Sequence, residues 1–151
     1  VQKHRYHVDC GVEYIVNHAD YAPFNLVYDA SGEIVAVNDF DNVNYRPRIR
    51  DIAGAILSFC DGLSYAGATS SLRRPISKSL NLEKTRQFLN GYFSNSEQLT
   101  NAEKDGLVGE IMIRWVKIMC LGLVRGDFNY IDVLNAKDFQ RHVETEIPKL
   151  I

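Results

Sequence analysis

No stretch of this chain approaches the roughly 20 consecutive apolar residues of a membrane span. Its longest apolar run, from Ile111 to Val124, is broken by Arg114 and Lys117, so no membrane anchor is visible. Cysteine is scarce as well. Cys10, Cys60 and Cys120 form no C-x-x-C pair and lie far apart in the chain, which excludes a close-spaced zinc site and gives no disulfide framework. A reducing cytoplasm suits such a chain, with Cys60 and Cys120 read as small buried hydrophobes in apolar helical patterns. Positive charge is not in excess either. Lys plus Arg total 17 against 19 for Asp plus Glu, a formal charge of -2, so there is no broad basic surface for a nucleic-acid backbone. Repeats and low-complexity tracts are absent. The first residues, from Val1, hold no basic start followed by an apolar core and a cleavage site, and the chain reads as a trimmed or partial product.

What is present is the composition of an ordinary globular chain. With 151 residues, 46% hydrophobic and 24% charged, it is expected to build one packed core and a single domain over residues 1–151. Residues Cys10 to Val16 read as a short helix or strand. Two β-rich runs, Asn25 to Tyr28 and Ile34 to Val37, flank the turn cluster Asp29-Ala30-Ser31-Gly32-Glu33 and predict a hairpin. Arg46-Pro47 favours an extended start, and Ile49, Ile52, Ala53, Ile56 and Leu57 are spaced for the buried face of a helix over about Arg48 to Cys60, expected to pack on the hairpin. Residues Asp61 to Ser79, with Arg73-Arg74 and Pro75, read as a loop. A helix from about Leu82 to Phe93 follows. Thr100-Asn101-Ala102-Glu103 has the form of a capping box opening a long helix to about Val124. The glycine after Arg125 suits its end, and a last helix from about Ala136 to Glu146 is expected to stop before Pro148.

The chemistry concentrates in His18-Ala19-Asp20-Tyr21-Ala22-Pro23-Phe24-Asn25 and, beyond the hairpin, Asp39-Phe40-Asp41. The spacing is that of a kinase catalytic loop, His-x-Asp-x-x-x-x-Asn, followed by a metal-binding Asp-Phe pair. The first part alone would arise by chance in roughly one chain of this length in a hundred. Phosphoryl transfer needs little covalent help from the protein, but it needs an acceptor hydroxyl in line with the γ-phosphate and magnesium on the phosphate oxygens. Asn25 offers an amide oxygen and Asp39 a carboxylate, both hard ligands suited to magnesium. Asp20 is left for the substrate hydroxyl. Taken singly, each residue has a plainer use: Asp20 as a turn or cap carboxylate, Asn25 at a strand edge, Asp39 at the charged end of a strand. Their joint spacing carries the stronger reading. His18 reads as a structural histidine donating to a backbone carbonyl. Asp41 is balanced between metal binding and a turn. Arg73-Arg74 reads as a solvated pair, and Tyr92, Trp115 and Tyr130 as packing residues rather than a cage for a choline-like cation.

The run Asn17 to Asp29, then Val35-Ala36-Val37-Asn38-Asp39-Phe40-Asp41 and Arg50-Asp51-Ile52-Ala53, resembles the His-Gly-Asp-x-x-x-x-Asn, Ile-Asp-Phe and Asp-Leu-Ala series of the aminoglycoside phosphotransferase and choline kinase-like superfamily. The helical remainder, including Phe88-Leu89-Asn90-Gly91-Tyr92, is similar to that family's C-terminal helices. The resemblance implies an α+β, mainly α fold: the C-terminal lobe of a protein-kinase-like fold, with helices around a catalytic loop and a short hairpin. It implies Asp20 as catalytic base or acceptor-orienting residue, Asn25 and Asp39 as magnesium ligands in contact with ATP, and Asp51 as an anchor behind the loop. The implied activity is transfer of the γ-phosphate of ATP, with Mg2+, to a hydroxyl of a small molecule. Ala19 stands where the family usually has Gly, Ala22 where His is common, and Asn17 and Asn38 where apolar residues are usual. Only 17 residues precede His18, too few for the lobe that binds most of ATP, so this chain by itself is expected to be inactive. Self-association or the missing lobe would then cover an apolar face near Val8 to Val16. The other reading is a truncated or degenerate kinase-like domain acting as a non-catalytic interaction module. Charges of both signs on the pocket helices leave the acceptor open among amines, amino acids and sugars.

Overall fold

A computed structural model describes residues 11–60, 80–124 and 137–151. Among these residues four short strands come first: β1 (Tyr14–Asn17), β2 (Leu26–Tyr28), β3 (Ile34–Val37) and β4 (Asn44–Pro47). They form two separate antiparallel pairs, β1 with β4 and β2 with β3. Among the described residues four helices follow, α1 (Ile49–Phe59), α2 (Leu82–Phe93), α3 (Asn101–Val124) and α4 (Lys137–Leu150). The architecture is α+β and mainly helical. None of the described helices is long and apolar enough to cross a membrane.

The hairpin forms where the turn residues place it. Asp29 Oδ1 accepts the Ser31 N–H at 2.9 Å and the Glu33 N–H at 3.0 Å, and Gly32 supplies a φ of 88° that a side chain would resist. Leu26 pairs with Val37 and Val27 with Ala36. Of the segment read as a short helix or strand before His18, Tyr14 to Val16 lie in strand β1, and its partner β4 is an element that the sequence reading did not foresee. Asn44 to Pro47 lacks alternating hydrophobicity, and Pro47 is tolerated because it stands at the end of an edge strand.

Helix α1 buries Ile49, Ile52, Ala53 and Ile56, the face that the spacing indicated. It packs mainly on α3, however, and not on the β2–β3 hairpin as expected. The hairpin exposes Val27, Ile34 and Val35 and buries only Leu26 of its strand residues, whereas α3 presents Leu107, Ile111, Trp115 and Met119 at four-residue spacing, all buried. Phe139, Val143 and Ile147 of α4 close the core in the same rhythm. The rings of Trp115 and Phe139 stack with centroids 4.5 Å apart, so Trp115 is a packing residue.

The capping box at Thr100 forms: the Glu103 N–H donates to Thr100 Oγ1 and the Thr100 N–H to Glu103 Oε2. Glu103 also receives Arg48, with Nε on Oε1 at 2.9 Å and Nη2 on Oε2 at 2.8 Å. Both side chains are buried, and Arg48 donates further to the carbonyls of Glu97 and Gln98. One carboxylate thus caps α3 and fixes the start of α1.

Two further expectations are corrected. The last helix runs through Pro148 to Leu150. The lost hydrogen bond and ring crowding cost about 3 kcal/mol in a helix interior; here the helix ends two residues later, and the fully buried Ile147 with partly buried Leu150 holds the turn to the core. Cys60 is buried but Cys120 is exposed, because α3 is apolar on more of its circumference than its neighbours cover. The loop with Arg73-Arg74, the helix end near Gly126, Cys10 and Tyr130 lie outside the described residues.

Candidate active site

The loop between β1 and β2 is held from behind by one carboxylate. Asp51, in the first turn of α1, accepts the His18 N–H on Oδ2 at 2.6 Å and the Ala19 N–H on Oδ1 at 2.9 Å. A carboxylate at that position also favours the positive end of the helix dipole. Holding two successive N–H groups to one side chain bends the backbone sharply, and Ala19 takes a φ of 66°. This left-handed conformation explains why glycine suits the position.

Past that bend Asp20 is partly buried at the loop tip. Asn25 ends the 3-10 turn Pro23–Asn25 and is itself buried. Its Nδ2 donates to the Asp20 carbonyl at 2.8 Å and reaches Asp20 Oδ2 at 3.4 Å. With its nitrogen so committed, Asn25 has only its amide oxygen left to offer, and among the described residues nothing donates to it. Asp39 arrives by way of the hairpin: the Asn38 N–H donates to the Asn25 carbonyl at 2.8 Å, which sets the next residue beside the loop. Asp39 adopts a left-handed backbone, φ 63°, and its exposed carboxylate makes no hydrogen bond that caps the 3-10 turn Phe40–Asn42. A non-glycine residue in this region carries strain of order 1 kcal/mol or more and re-aims the side chain.

His18 links the two halves of the site. Its Nδ1 accepts the Asp20 N–H at 3.3 Å, and its Nε2 lies 2.9 Å from the Asn38 carbonyl. An acceptor at Nδ1 requires the proton on Nε2, so the ring donates to Asn38 and braces Asp20 against the residue preceding Asp39. Its ring packs 4.7 Å from that of Phe40. The structural use of His18 is therefore the one the hydrogen bonds display.

A polar cleft of about 360 Å³ opens beside Asp20, lined by Asn17, Asn44, Asp51, Arg50, Arg114 and Lys117 among others. A second cleft, about 500 Å³ and largely apolar, lies on the other side of Asp51 against Tyr21, Phe88 and Tyr92. It is the larger, but Asp20 does not line it. Burial and the nearby Tyr28 raise the pKa of Tyr21, and burial raises that of Tyr92, so both phenols stay neutral and serve as ring surfaces.

A cation held here would meet one carboxylate and one amide oxygen. Among the described residues no three His, Cys, Asp or Glu side chains converge on a common metal position. The set Asn25 Oδ1 and Asp39 suits magnesium, which takes one or two protein ligands and completes its shell with phosphate oxygens and water.

Residues 4–80 match the phosphotransferase enzyme family, just over half of the chain. The chain belongs to this family. Its phosphotransferase match spans the loop, both hairpin strands and α1, and stops short of α2. The helices from Leu82 onward, similar in the sequence reading to the family's C-terminal helices, lie outside it. No curated protein and no solved structure gives a significant match.

The sequence reading missed the cleft's cations. Arg114 and Lys117 figured only as interruptions of an apolar run, although their three-residue spacing sets them on one face of a helix. Asn17 was noted only as a departure from an apolar residue. It is 1% exposed, and its Nδ2 donates to the carbonyls of Ile15 and Arg46.

Proposed function

We propose that this phosphotransferase-family chain forms the catalytic, C-terminal lobe of an ATP- and magnesium-dependent enzyme that transfers the γ-phosphate to a hydroxyl of a small molecule. The observation that carries the reading is the grip of Asn25 on Asp20, with Asp39 brought alongside by the Asn38 to Asn25 hydrogen bond. Asp20 would accept the proton of the acceptor hydroxyl and aim its oxygen at phosphorus, borders the polar cleft where an acceptor fits, and is fixed by Asn25 Nδ2 and His18 Nδ1. Asn25 Oδ1 and the Asp39 carboxylate would hold magnesium. That ion, when bound, supplies neutralisation of the phosphate oxygens. Adenine would be held by a second lobe or a partner chain docked over the strands. Val16 and Tyr45, cross-strand partners, support such a cover, being 70% and 65% exposed.

The test, run with that second lobe or partner chain present, is magnesium-dependent consumption of ATP, stimulated by a panel of hydroxyl-bearing amines, amino acids and sugars, in the parent and in Asp20→Asn. Turnover should fall about 10²- to 10⁴-fold in the variant while ATP affinity changes little. Turnover within a few-fold of the parent would sink the catalytic reading. The exposed apolar strand residues would then favour the interaction module.

A further inference from the structure

We propose that the hydroxyl-bearing acceptor also carries a negatively charged group, a carboxylate or a phosphate ester, held by Arg114 and Lys117 in the cleft beside Asp20. This rests on the phosphotransfer reading and adds the charge of the substrate to it. Among the described residues, the cleft brings Asp20 together with three cations, Arg50, Arg114 and Lys117, and one further carboxylate, Asp51. Asp51 is already engaged by two backbone N–H groups. Arg50 has Glu110 at 3.7 Å. Among the described residues, Arg114 and Lys117 have no ion-pair partner within 4.0 Å.

Arg114 is the more telling of the two. Its Nε is buried without a hydrogen-bond partner, and so is Oδ1 of Asn17, which lines the same cleft. Two residues that line one cleft thus each keep a buried polar atom without a partner, hydrogen-bonding capacity that a polar guest drawing the side chains round would meet. The guanidinium reaches the cleft across the bare backbone of Gly54: a Cβ there would fall 2.5 Å from Arg114 Nη1. Burial lowers the Arg114 pKa, while Asp51, Glu110 and Asp20 act in the opposite sense; a bound anion would offset that burial directly. A cationic acceptor would instead bring a fourth positive charge into a cleft with one uncommitted carboxylate. A planar guanidinium and a nearby ammonium are the donor set that recognises carboxylate and phosphate oxygens.

The test uses four probes on one carbon skeleton: glycerate and glycerol phosphate, neutral glycerol, and cationic aminopropanediol. Each is titrated into the isotopically labelled chain while the Arg114 Nε–H resonance is followed by NMR, its assignment fixed by its loss in Arg114→Gln. The two anions should shift it and bind at least about 10-fold more tightly than glycerol, with aminopropanediol weakest. Lys117→Met, a change at an exposed position that leaves the core intact, should weaken the anions several-fold and glycerol not at all. Equal response to all four, or a preference for the amine, overturns the inference. So does displacement of the anions by magnesium with a non-hydrolysable ATP analogue, which would assign these cations to the nucleotide phosphates. Glycerate and glycerol phosphate separate the two anion types. With the adenine-holding lobe or partner chain present, acceptor phosphorylation that depends on Asp20 but ignores acceptor charge would defeat this inference alone, whereas selective anion binding with no such phosphorylation would defeat the phosphotransfer reading beneath it.

Discussion

Asp51 Oδ2 accepts the backbone N–H of His18 at 2.6 Å across 33 residues of sequence. This bond and its neighbour to Ala19 join helix α1 to the loop that carries Asp20. The shape of the loop is therefore set by the helix behind it.

Asp51→Asn should loosen that joint. An amide has one oxygen where two N–H groups need acceptors, so one donor is left facing an NH₂ group. A buried donor without a partner costs about 1–3 kcal/mol. Urea unfolding should show a loss in that range, and hydrogen exchange at His18 and Ala19 should quicken more than exchange in α4. Unchanged exchange at both would mean that Asp51 is not the anchor.

Ala19→Gly should behave contrary to the usual rule for alanine to glycine. The left-handed φ of 66° costs alanine roughly 1–2 kcal/mol, which offsets the roughly 0.5–1 kcal/mol of added chain entropy that glycine brings. Stability should therefore be unchanged or slightly higher. Ala19→Val should be clearly destabilising, because a β-branched residue fits that region worse. Paired thermal melts check the order Gly, Ala, Val.

Asp39→Asn should differ from Asp20→Asn in kind. In the proposed site, loss of the charged magnesium ligand would weaken the hold on the metal in ground and transition states alike, so the magnesium concentration for half-maximal activity should rise along with the fall in turnover. Asp20→Asn should leave the magnesium requirement nearly as it was. Titration of magnesium at saturating ATP distinguishes them.

The Arg48–Glu103 pair should govern acid stability. Burial alone would raise the Glu103 pKa, but hydrogen bonds from Arg48, Thr100 and Glu13, with the charge of Arg48, bring it below the ordinary 4.5. A carboxylate depressed on folding contributes stability above its unfolded pKa, and that contribution is lost as pH falls through the folded one. Stability should thus drop below about pH 4.5, and Glu103→Gln should flatten the drop while lowering stability near neutrality. Arg48→Met, which leaves Glu103 buried and unpaired, should cost about 3–5 kcal/mol at pH 7. Denaturant midpoints across pH 3 to 7 measure both.

The elements legible in the sequence are those written by local rules. The turn at Asp29 to Glu33, the buried face of α1, the Leu82 to Phe93 helix and the Thr100 cap each depend on residues within a few positions of one another, and each lies where the spacing put it. The joint spacing of His18 to Asn25 with Asp39 made the family legible, and membership of the phosphotransferase family follows from the match over residues 4–80. Tertiary structure alone decided the rest. Strand β4 exists because β1 pairs with it, α1 turns to α3 because α3 offers the wider apolar face, and Pro148 stays helical because Ile147 is buried beside it. Glu103 serves Arg48 as well as its own cap, and Arg114 enters the cleft where Gly54 leaves room. None of these has a sequence signal, because each depends on groups remote in the chain that meet only when the core is packed.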